Sequence, residues 1–192
     1  MNIMDKDGGV SIRMLDLENT VLLIVDVQDK LATVMSDKDE LFLNLEKLIR
    51  GAQVLGVPII VTEQYPQGLG RTVPELAHFL SDVQPIAKLS FSCCGEESFL
   101  REIKTLNRRQ ILIAGIESHV CVYQTVVDLL GIGYEVQVVG DAVSSRTARN
   151  KAIALDKMRS AGAGITSTEM ALFELLKVAH GEVFKEISRI VR

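Results

Sequence analysis

The length, composition and charge of the chain exclude several classes of protein. Its 192 residues suffice for one domain with a substantial core, and 47% of them are hydrophobic, which is ordinary for a globular protein. The net charge of −4, without a basic cluster, argues against a nucleic-acid partner, and no apolar run approaches the roughly 20 residues that cross a membrane. The first residues, MNIMDKDGGVSIR, do not resemble a secretory signal, and three cysteines with two adjacent favour a reducing compartment, so we expect a cytoplasmic protein.

Short apolar runs alternate with amphipathic segments along almost the whole chain. Strands are predicted at residues 20–25, 57–62, 83–87, 111–114, 134–139 and 164–166. Helices are predicted at residues 37–56, from 74, at 95–106, 120–130, 147–161, from 167 or 168 to 179, and at 184–191. Residues 1–16 are expected to form a lead-in and residues 17–192 one domain. This alternation predicts an α/β fold with a parallel sheet and helices on both faces.

Reactive side chains follow three of these strands. Asp26 and Lys88 come directly after the first and third, and Cys121 lies in the predicted first turn of the helix after the fourth. Because the carboxyl ends of parallel strands share one edge of a sheet, the three residues can converge. Each also has a structural reading. The aspartate suits a turn or cap, the lysine a solvated surface and the cysteine a buried core.

Together, these three residue types can perform nucleophilic catalysis. A cysteine attacks as a thiolate, which the helix dipole and a nearby lysine favour by lowering the pKa of the thiol. Asp26 is suited to take the thiol proton and to return it to a leaving group. Lys88 is suited to hold both negative charges in place.

Four segments of the chain resemble the isochorismatase-like cysteine hydrolases. They are LLIVDVQ (22–28), KLSFS (88–92), AGIESHVCV (114–122) and VVGDAVSSR (138–146). The wording GIESHVC followed by DAVSSR is most similar to the subgroup called isochorismatase domain-containing proteins. The resemblance implies a three-layer α/β/α fold whose six-stranded parallel sheet has the order 3-2-1-4-5-6. It also implies a catalytic triad of Asp26, Lys88 and Cys121, and assembly as a homo-oligomer.

The resemblance further implies an oxyanion hole. Members of the family carry a cis peptide bond four residues before the cysteine, which here joins Ile116 to Glu117. The backbone N–H groups of Glu117 and Cys121 would then face the developing oxyanion of a substrate.

Five residues are candidates for the substrate pocket, namely Gln28, Gln64, Tyr65, Phe91 and Glu117. The loop at residues 65–73, rich in glycine and proline, could form a pocket wall. For Phe91, core packing is the favoured alternative. The carboxylate of Glu117 either lines the pocket, where it would select a cationic or hydrogen-bonding substrate, or points to solvent.

No metal or cofactor is expected. The related nicotinamidases bind a metal through an aspartate and two histidines just after the second strand. Here the corresponding stretch is Glu63-Gln64-Tyr65-Pro66, with no histidine nearby. A metal-assisted nicotinamidase is therefore not favoured.

Several functions remain open at the level of the sequence. The first is hydrolysis of a small amide or related C–N compound through a thioester intermediate, with a small-molecule substrate. The second is an isochorismatase-type vinyl-ether hydrolase, in which the aspartate does the proton transfer and the cysteine need not attack. The third is a catalytically silent interaction module, and a redox role for Cys121 with Cys93 or Cys94 is a minor fourth.

Overall fold

A computed structural model of the chain describes residues 14–192. Most of the expected lead-in, residues 1–13, lies outside the described residues. Leu15 is buried in the core, and its backbone N–H donates a hydrogen bond to Glu174 Oε1 at 2.5 Å. The chain is therefore anchored to the domain from Leu15 onward.

Six parallel strands form the centre of the described part of the chain. They are β1 (Thr20–Val25), β2 (Ile59–Gln64), β3 (Ile86–Lys88), β4 (Gln110–Ile116), β5 (Glu135–Ser144) and β6 (Gly164–Thr166). Their order in the sheet is β3-β2-β1-β4-β5-β6, which confirms the predicted topology. In this order β1 and β4 are neighbours, and their carboxyl ends meet at the centre of one edge.

Helices cover both faces of the sheet. They are α1 (Asp29–Ala32), α2 (Lys38–Leu55), α3 (Pro66–Leu69), α4 (Pro74–Ala77), α5 (Glu97–Thr105), α6 (Tyr123–Gly131), α7 (Ala148–Ser160), α8 (Thr168–Leu176) and α9 (Gly181–Ile190). Short 3₁₀ turns at His78–Leu80 and Cys93–Gly95 and a π-helical turn at Ser118–Val122 complete the connections. None of the helices within residues 14–192 is both long and apolar enough to traverse a lipid bilayer.

Alternate residues of the central strands point into two separate hydrophobic cores. In β1, Leu22 and Ile24 pack in one core with α2, α4, α8 and α9. Leu23 and Val25 pack in the other core with α5, α6 and α7. Successive strand side chains point to opposite faces, so a strand buried on both faces needs the continuous apolar run seen in TVLLIV.

The fifth strand is longer than predicted. Gly140 and Asp141 were expected to end it, but β5 continues to Ser144. Residues 139–142 form a bulge between two paired stretches, since Ile113 pairs with Val138 and Gly115 with Val143. A bulge absorbs extra residues without ending the ladder. As a result, the Ser144 end of β5 lies beside the Ile116 end of β4.

Other predicted boundaries also need correction. Strand β2 begins at Ile59 and extends to Gln64, and β3 includes Lys88, which was placed just after it. The short helices α1 and α3 were not predicted. Helix α8 ends at Leu176 rather than at residue 179, and α9 begins at Gly181 rather than at residue 184.

Candidate active site

The first feature of the site is a buried ion pair at the carboxyl edge of the sheet. Asp26 follows β1 directly, and Lys88 is the last residue of β3. Lys88 Nζ lies 2.6 Å from Asp26 Oδ2, and both residues are almost fully buried, at 2% and 0% exposure. Since β2 lies between β1 and β3, the lysine side chain must extend across the end of β2 to make this contact.

The ammonium group of Lys88 is held by several acceptors. Besides Asp26, it donates to Gln64 Oε1 at 2.7 Å and to the carbonyl oxygens of Ser90 and Phe91 at 3.2 and 3.0 Å. Burial is the largest single influence and would lower the pKa of Lys88, but the charge of Asp26, the two neighbouring thiols and the hydrogen bond to Asp26 together outweigh it, and the pKa is raised. The lysine is therefore a fixed positive charge.

Cys121 is the third member of the cluster. It is 5% exposed and belongs to the π-helical turn at Ser118–Val122, which precedes α6, so it does not lie in the first turn of an α-helix as predicted. Burial raises the pKa of its thiol to about 12, with further contributions from the charge of Asp26 and from a side-chain hydrogen bond to that carboxylate. Lys88 acts in the opposite direction but does not prevail. The expected lowering of the thiol pKa is thus wrong, and the resting thiol is protonated.

A glycine allows β1 and β4 to approach at this point. Gly115 has φ of +111°, and a Cβ atom there would lie 2.2 Å from the backbone oxygen of Val25. Val25 immediately precedes Asp26, and Gly115 begins the segment that leads to Cys121. A side chain at position 115 would therefore not fit between β1 and β4 where Gly115 pairs with Val25.

A second buried thiol, that of Cys93, lies close to Asp26 and Lys88. Cys93 is fully buried, burial raises its pKa to about 12, and its Sγ lies 3.8 Å from Thr62 Oγ1. Its backbone N–H donates to Thr125 Oγ1 at 2.9 Å, and that hydroxyl donates to the Cys121 carbonyl at 2.7 Å. Cys93, Cys94 and Cys121 are all free thiols.

Gln28 is occupied by backbone groups. Its Nε2 donates to the carbonyl oxygens of Gln64 and Gly70 at 3.0 and 2.7 Å, and its Oε1 accepts the Gln64 N–H at 2.7 Å. The side chain therefore ties the end of β1 to β2 and to the loop at residues 65–73. Gln64 has a related role, because its Nε2 donates to the Leu89 carbonyl while its Oε1 accepts from Lys88.

The two aromatic pocket candidates are exposed. Tyr65 and Phe91 are 50% and 54% exposed, respectively. Phe91 therefore does not pack in the core, which corrects the alternative favoured from the sequence. Its carbonyl oxygen instead accepts a hydrogen bond from Lys88.

Glu117 is neither open to bulk solvent nor unpaired. The Ile116–Glu117 peptide bond is cis, as the family resemblance implied. The Glu117 carboxylate accepts hydrogen bonds from the backbone N–H and the Nε of Arg146, at 3.2 and 3.1 Å. The carboxylate therefore does not point to bulk solvent, and it forms an ion pair with Arg146, two residues after the end of β5.

Most of the chain matches a known protein family. Residues 20–170 match the family model described as Isochorismatase domain, which is well over half of the chain. The chain belongs to the isochorismatase family. The family predicted from the four sequence segments is thereby confirmed.

Individual relatives and solved structures agree with this assignment. Isochorismatase domain-containing protein 2 of Danio rerio is 36% identical over 178 residues, covering 92% of this chain and 89% of that protein. The MAR1 ribonuclease of Caenorhabditis elegans has a TM-score of 0.88 at 36% identity, covering 93% of this chain and 92% of that one. The YcaC gene product of Escherichia coli, described as an octameric hydrolase of unknown specificity, has a TM-score of 0.83 at 28% identity, covering 86% and 83%.

Sequence reasoning about this isochorismatase-family chain missed Thr62. Its hydroxyl donates to Asp26 Oδ1 at 2.7 Å, and its carbonyl accepts the Asp26 backbone N–H at 3.1 Å. Asp26 itself has a left-handed φ of +51°. Thr62 therefore holds both the backbone of this residue and one oxygen of its carboxylate, while Lys88 holds the other oxygen. The available signal was a hydroxyl near the end of an otherwise apolar strand beside β1.

Replacing Thr62 with valine should destabilise the fold, because the buried carboxylate of Asp26 loses a donor. A hydrogen bond to a charged group contributes about 1.5–3 kcal/mol, and we expect a loss of that size in the free energy of unfolding measured in urea. Thr62→Ser keeps the hydroxyl and should lie much closer to the wild type. Equal stabilities of the valine and serine variants would show that the bond to Asp26 contributes nothing.

Among residues 14–192, no group of three or more histidine, cysteine, aspartate or glutamate side chains is arranged to hold a metal ion. Glu63, the acid nearest to the position of the nicotinamidase metal site, is otherwise engaged. Its carboxylate accepts hydrogen bonds from Arg71 Nη1 at 3.0 Å and from the N–H and hydroxyl of Thr72 at 2.7 and 3.0 Å. It anchors the loop at residues 65–73.

Proposed function

We propose that this isochorismatase-family protein hydrolyses a small amide or related C–N compound through a thioester on Cys121. The observation that carries the proposal is the Asp26 carboxylate, which contacts both the Lys88 ammonium and the Cys121 thiol. A protonated thiol beside a buried carboxylate is ready to lose its proton as it attacks. The high resting pKa of the thiol means that attack and proton transfer are coupled.

The reaction proceeds in two halves. As Cys121 Sγ bonds to the substrate carbonyl carbon, its proton passes to Asp26, and the backbone N–H groups of Glu117 and Cys121 stabilise the oxyanion. Asp26 then protonates the leaving nitrogen, the C–N bond breaks, and a thioester remains. In the second half a water molecule gives its proton to Asp26 and attacks the thioester. The C–S bond breaks, the acid leaves, and the proton returns to the sulfur.

Lys88 supports both halves without giving up its own proton. Its charge, fixed 2.6 Å from Asp26, pairs with the carboxylate and offsets the negative charge that appears on sulfur during attack. Gln64 serves as a positioning residue, since its amide holds the ammonium group at the end of β2.

The direct test is turnover of a substrate panel by matched variants. Small amides, ureido compounds, a vinyl ether and RNA would be incubated with the wild type, Cys121→Ala and Asp26→Asn. We expect C–N hydrolysis that falls on the order of 10³-fold or more in both variants, because members of a catalytic set act as a unit. Cys94→Ser, which changes a neighbouring thiol outside the cluster, should retain activity.

The alternative functions give different patterns. Vinyl-ether cleavage that survives Cys121→Ala but not Asp26→Asn would identify isochorismatase chemistry and refute the thioester mechanism. Turnover that is the same in all variants would refute the site altogether. RNA is included because the nematode structural neighbour is described as a ribonuclease, although a net charge of −4 does not favour a polyanionic substrate here.

We also propose that the protein forms a homo-oligomer and acts in the cytoplasm. The octameric description of the Escherichia coli YcaC protein supports the first point. The three free thiols support the second, because reduced cysteines suit a reducing compartment. Light scattering of the purified protein would test the assembly directly.

A further inference from the structure

Three ion pairs lie at the carboxyl edge of the sheet. They are Asp26–Lys88 at 2.6 Å, Glu63–Arg71 at 3.0 Å and Glu117–Arg146 at 3.1 Å. In every pair the carboxylate is buried, and in the last two the arginine is largely exposed. Each pair is neutral as a whole, so the arginines of these three pairs offer a ligand no uncompensated charge.

The Glu117–Arg146 pair adjoins the nucleophile. The Glu117 carbonyl accepts the N–H groups of Val120 and Val122, so Glu117 opens the turn that carries Cys121. Pairing of Ile116 with Ser144 then brings Arg146 alongside. The arginine is held at two points, its backbone N–H and its Nε, by the same carboxylate oxygen.

We infer that the substrate is uncharged, a selectivity that rests on the proposed hydrolysis at Cys121. An anionic substrate would have to compete with Glu117 for Arg146, whose charge is already balanced. A cationic substrate would have to compete with the paired lysine and arginines for the three buried carboxylates, whose charges are likewise balanced. A neutral amide or ureido group meets neither obstacle. Glu117 therefore acts as an internal counter-ion rather than as a receptor for a cation.

One further carboxylate, that of Glu96, also disfavours an anionic substrate. Glu96 accepts hydrogen bonds from the backbone N–H and hydroxyl of Ser90 and the N–H of Leu89, beside the carbonyl groups that hold Lys88. These bonds lower the pKa of Glu96, first of all the bond from Leu89, so its charge is present at neutral pH. It adds negative charge on the Lys88 side of the cluster.

The test compares two alkylating agents of nearly equal size, neutral iodoacetamide and anionic iodoacetate. Rates at Cys121 would be read from its own peptide by mass spectrometry at about pH 8 and at an ionic strength of about 0.15 M. Each rate is divided by that of N-acetylcysteine amide, a free thiol without a carboxylate, with the same reagent. We expect a normalised iodoacetate-to-iodoacetamide ratio below that of the free thiol in the wild type.

Two charge variants should move this ratio in opposite directions. Glu117→Gln leaves Arg146 uncompensated and should raise the ratio about threefold to fivefold, the range expected for partly exposed charges. Arg146→Gln leaves the carboxylate alone and should lower the ratio by a similar factor. Arg149→Gln removes an equal charge three residues further along the chain, in the first turn of α7, and should change the ratio much less.

The outcomes separate this inference from the proposed function. Alkylation of Cys121 with a wild-type ratio above that of the free thiol, or with a ratio that Glu117→Gln does not raise, overturns the neutral-substrate inference alone. An equal response to Arg146→Gln and Arg149→Gln also overturns it, because the effect would then be general charge. A Cys121 that neither reagent modifies in any variant overturns both, since the thiol would not be a nucleophile.

Discussion

Replacing Lys88 with methionine should destabilise the protein by about 3–5 kcal/mol and remove its hydrolytic activity. The substitution keeps the unbranched shape of the side chain up to the ammonium group but leaves the Asp26 carboxylate, which is fully buried, without its counter-ion. Breaking a buried ion pair on one side costs this much because the remaining charge has lost its partner in a medium that solvates it poorly. Urea unfolding would measure the stability, and the substrate panel the activity.

A double variant provides the control for this prediction. Asp26→Asn combined with Lys88→Met removes both charges, so it should recover much of the stability lost in Lys88→Met alone while remaining inactive. Recovery of this kind would identify the unpaired carboxylate as the cause. A loss of less than about 1 kcal/mol in Lys88→Met would contradict the burial and the pairing of the site.

Replacing Gly115 with alanine should have the largest effect on folding of any glycine substitution considered. The new Cβ would lie 2.2 Å from the Val25 oxygen and 2.6 Å from its nitrogen, and both are backbone atoms that cannot move aside as a flexible side chain would. The residue also has φ of +111°, which alanine rarely adopts. We expect a loss of about 4 kcal/mol or more in the free energy of unfolding, or failure to accumulate folded protein.

Two other glycines separate the contributions of clash and backbone conformation. Gly133 has φ of +90° but open space around its Cβ position, so Gly133→Ala should cost only about 1–2 kcal/mol. Gly131, in α6, has open space and no left-handed φ, so Gly131→Ala should be neutral or stabilising by up to about 1 kcal/mol. If Gly115→Ala cost no more than Gly133→Ala, the close approach of β1 and β4 would be refuted.

The sheet and the central cluster could be anticipated because their signals are local. The run TVLLIV is apolar throughout, as a strand buried on both faces must be, and Asp26 follows it without a gap. The alternation of strands and helices specifies parallel pairing, while the order of the strands came from the family resemblance. Lys88 was singled out by the family resemblance, because a lone lysine after a strand of three residues otherwise indicates a solvated surface group.

What escaped prediction depends on contacts between distant segments. The pairing of Glu117 with Arg146 requires the bulge in β5, and nothing in the residues around Gly140 distinguishes a bulge from the end of a strand. The raised pKa of Cys121 follows from its burial and from the charge of Asp26 beside it, whereas the sequence offered only the helix and the lysine, both of which lower it. Thr62 and Gln28 act through hydrogen bonds across strands, which no local pattern encodes.

The hydrogen bonds of Gln28 carry a consequence for protein engineering. Because this side chain binds the backbone at both Gln64 and Gly70, the conformation of the loop at residues 65–73 depends on the residue at position 28. Suppose that the loop is grafted from a relative with a different residue at position 28. The backbone groups at Gln64 and Gly70 would then lose their hydrogen-bond partners, and the loop would no longer be held against the end of β1. A successful transplant of specificity therefore has to move the glutamine and the loop together.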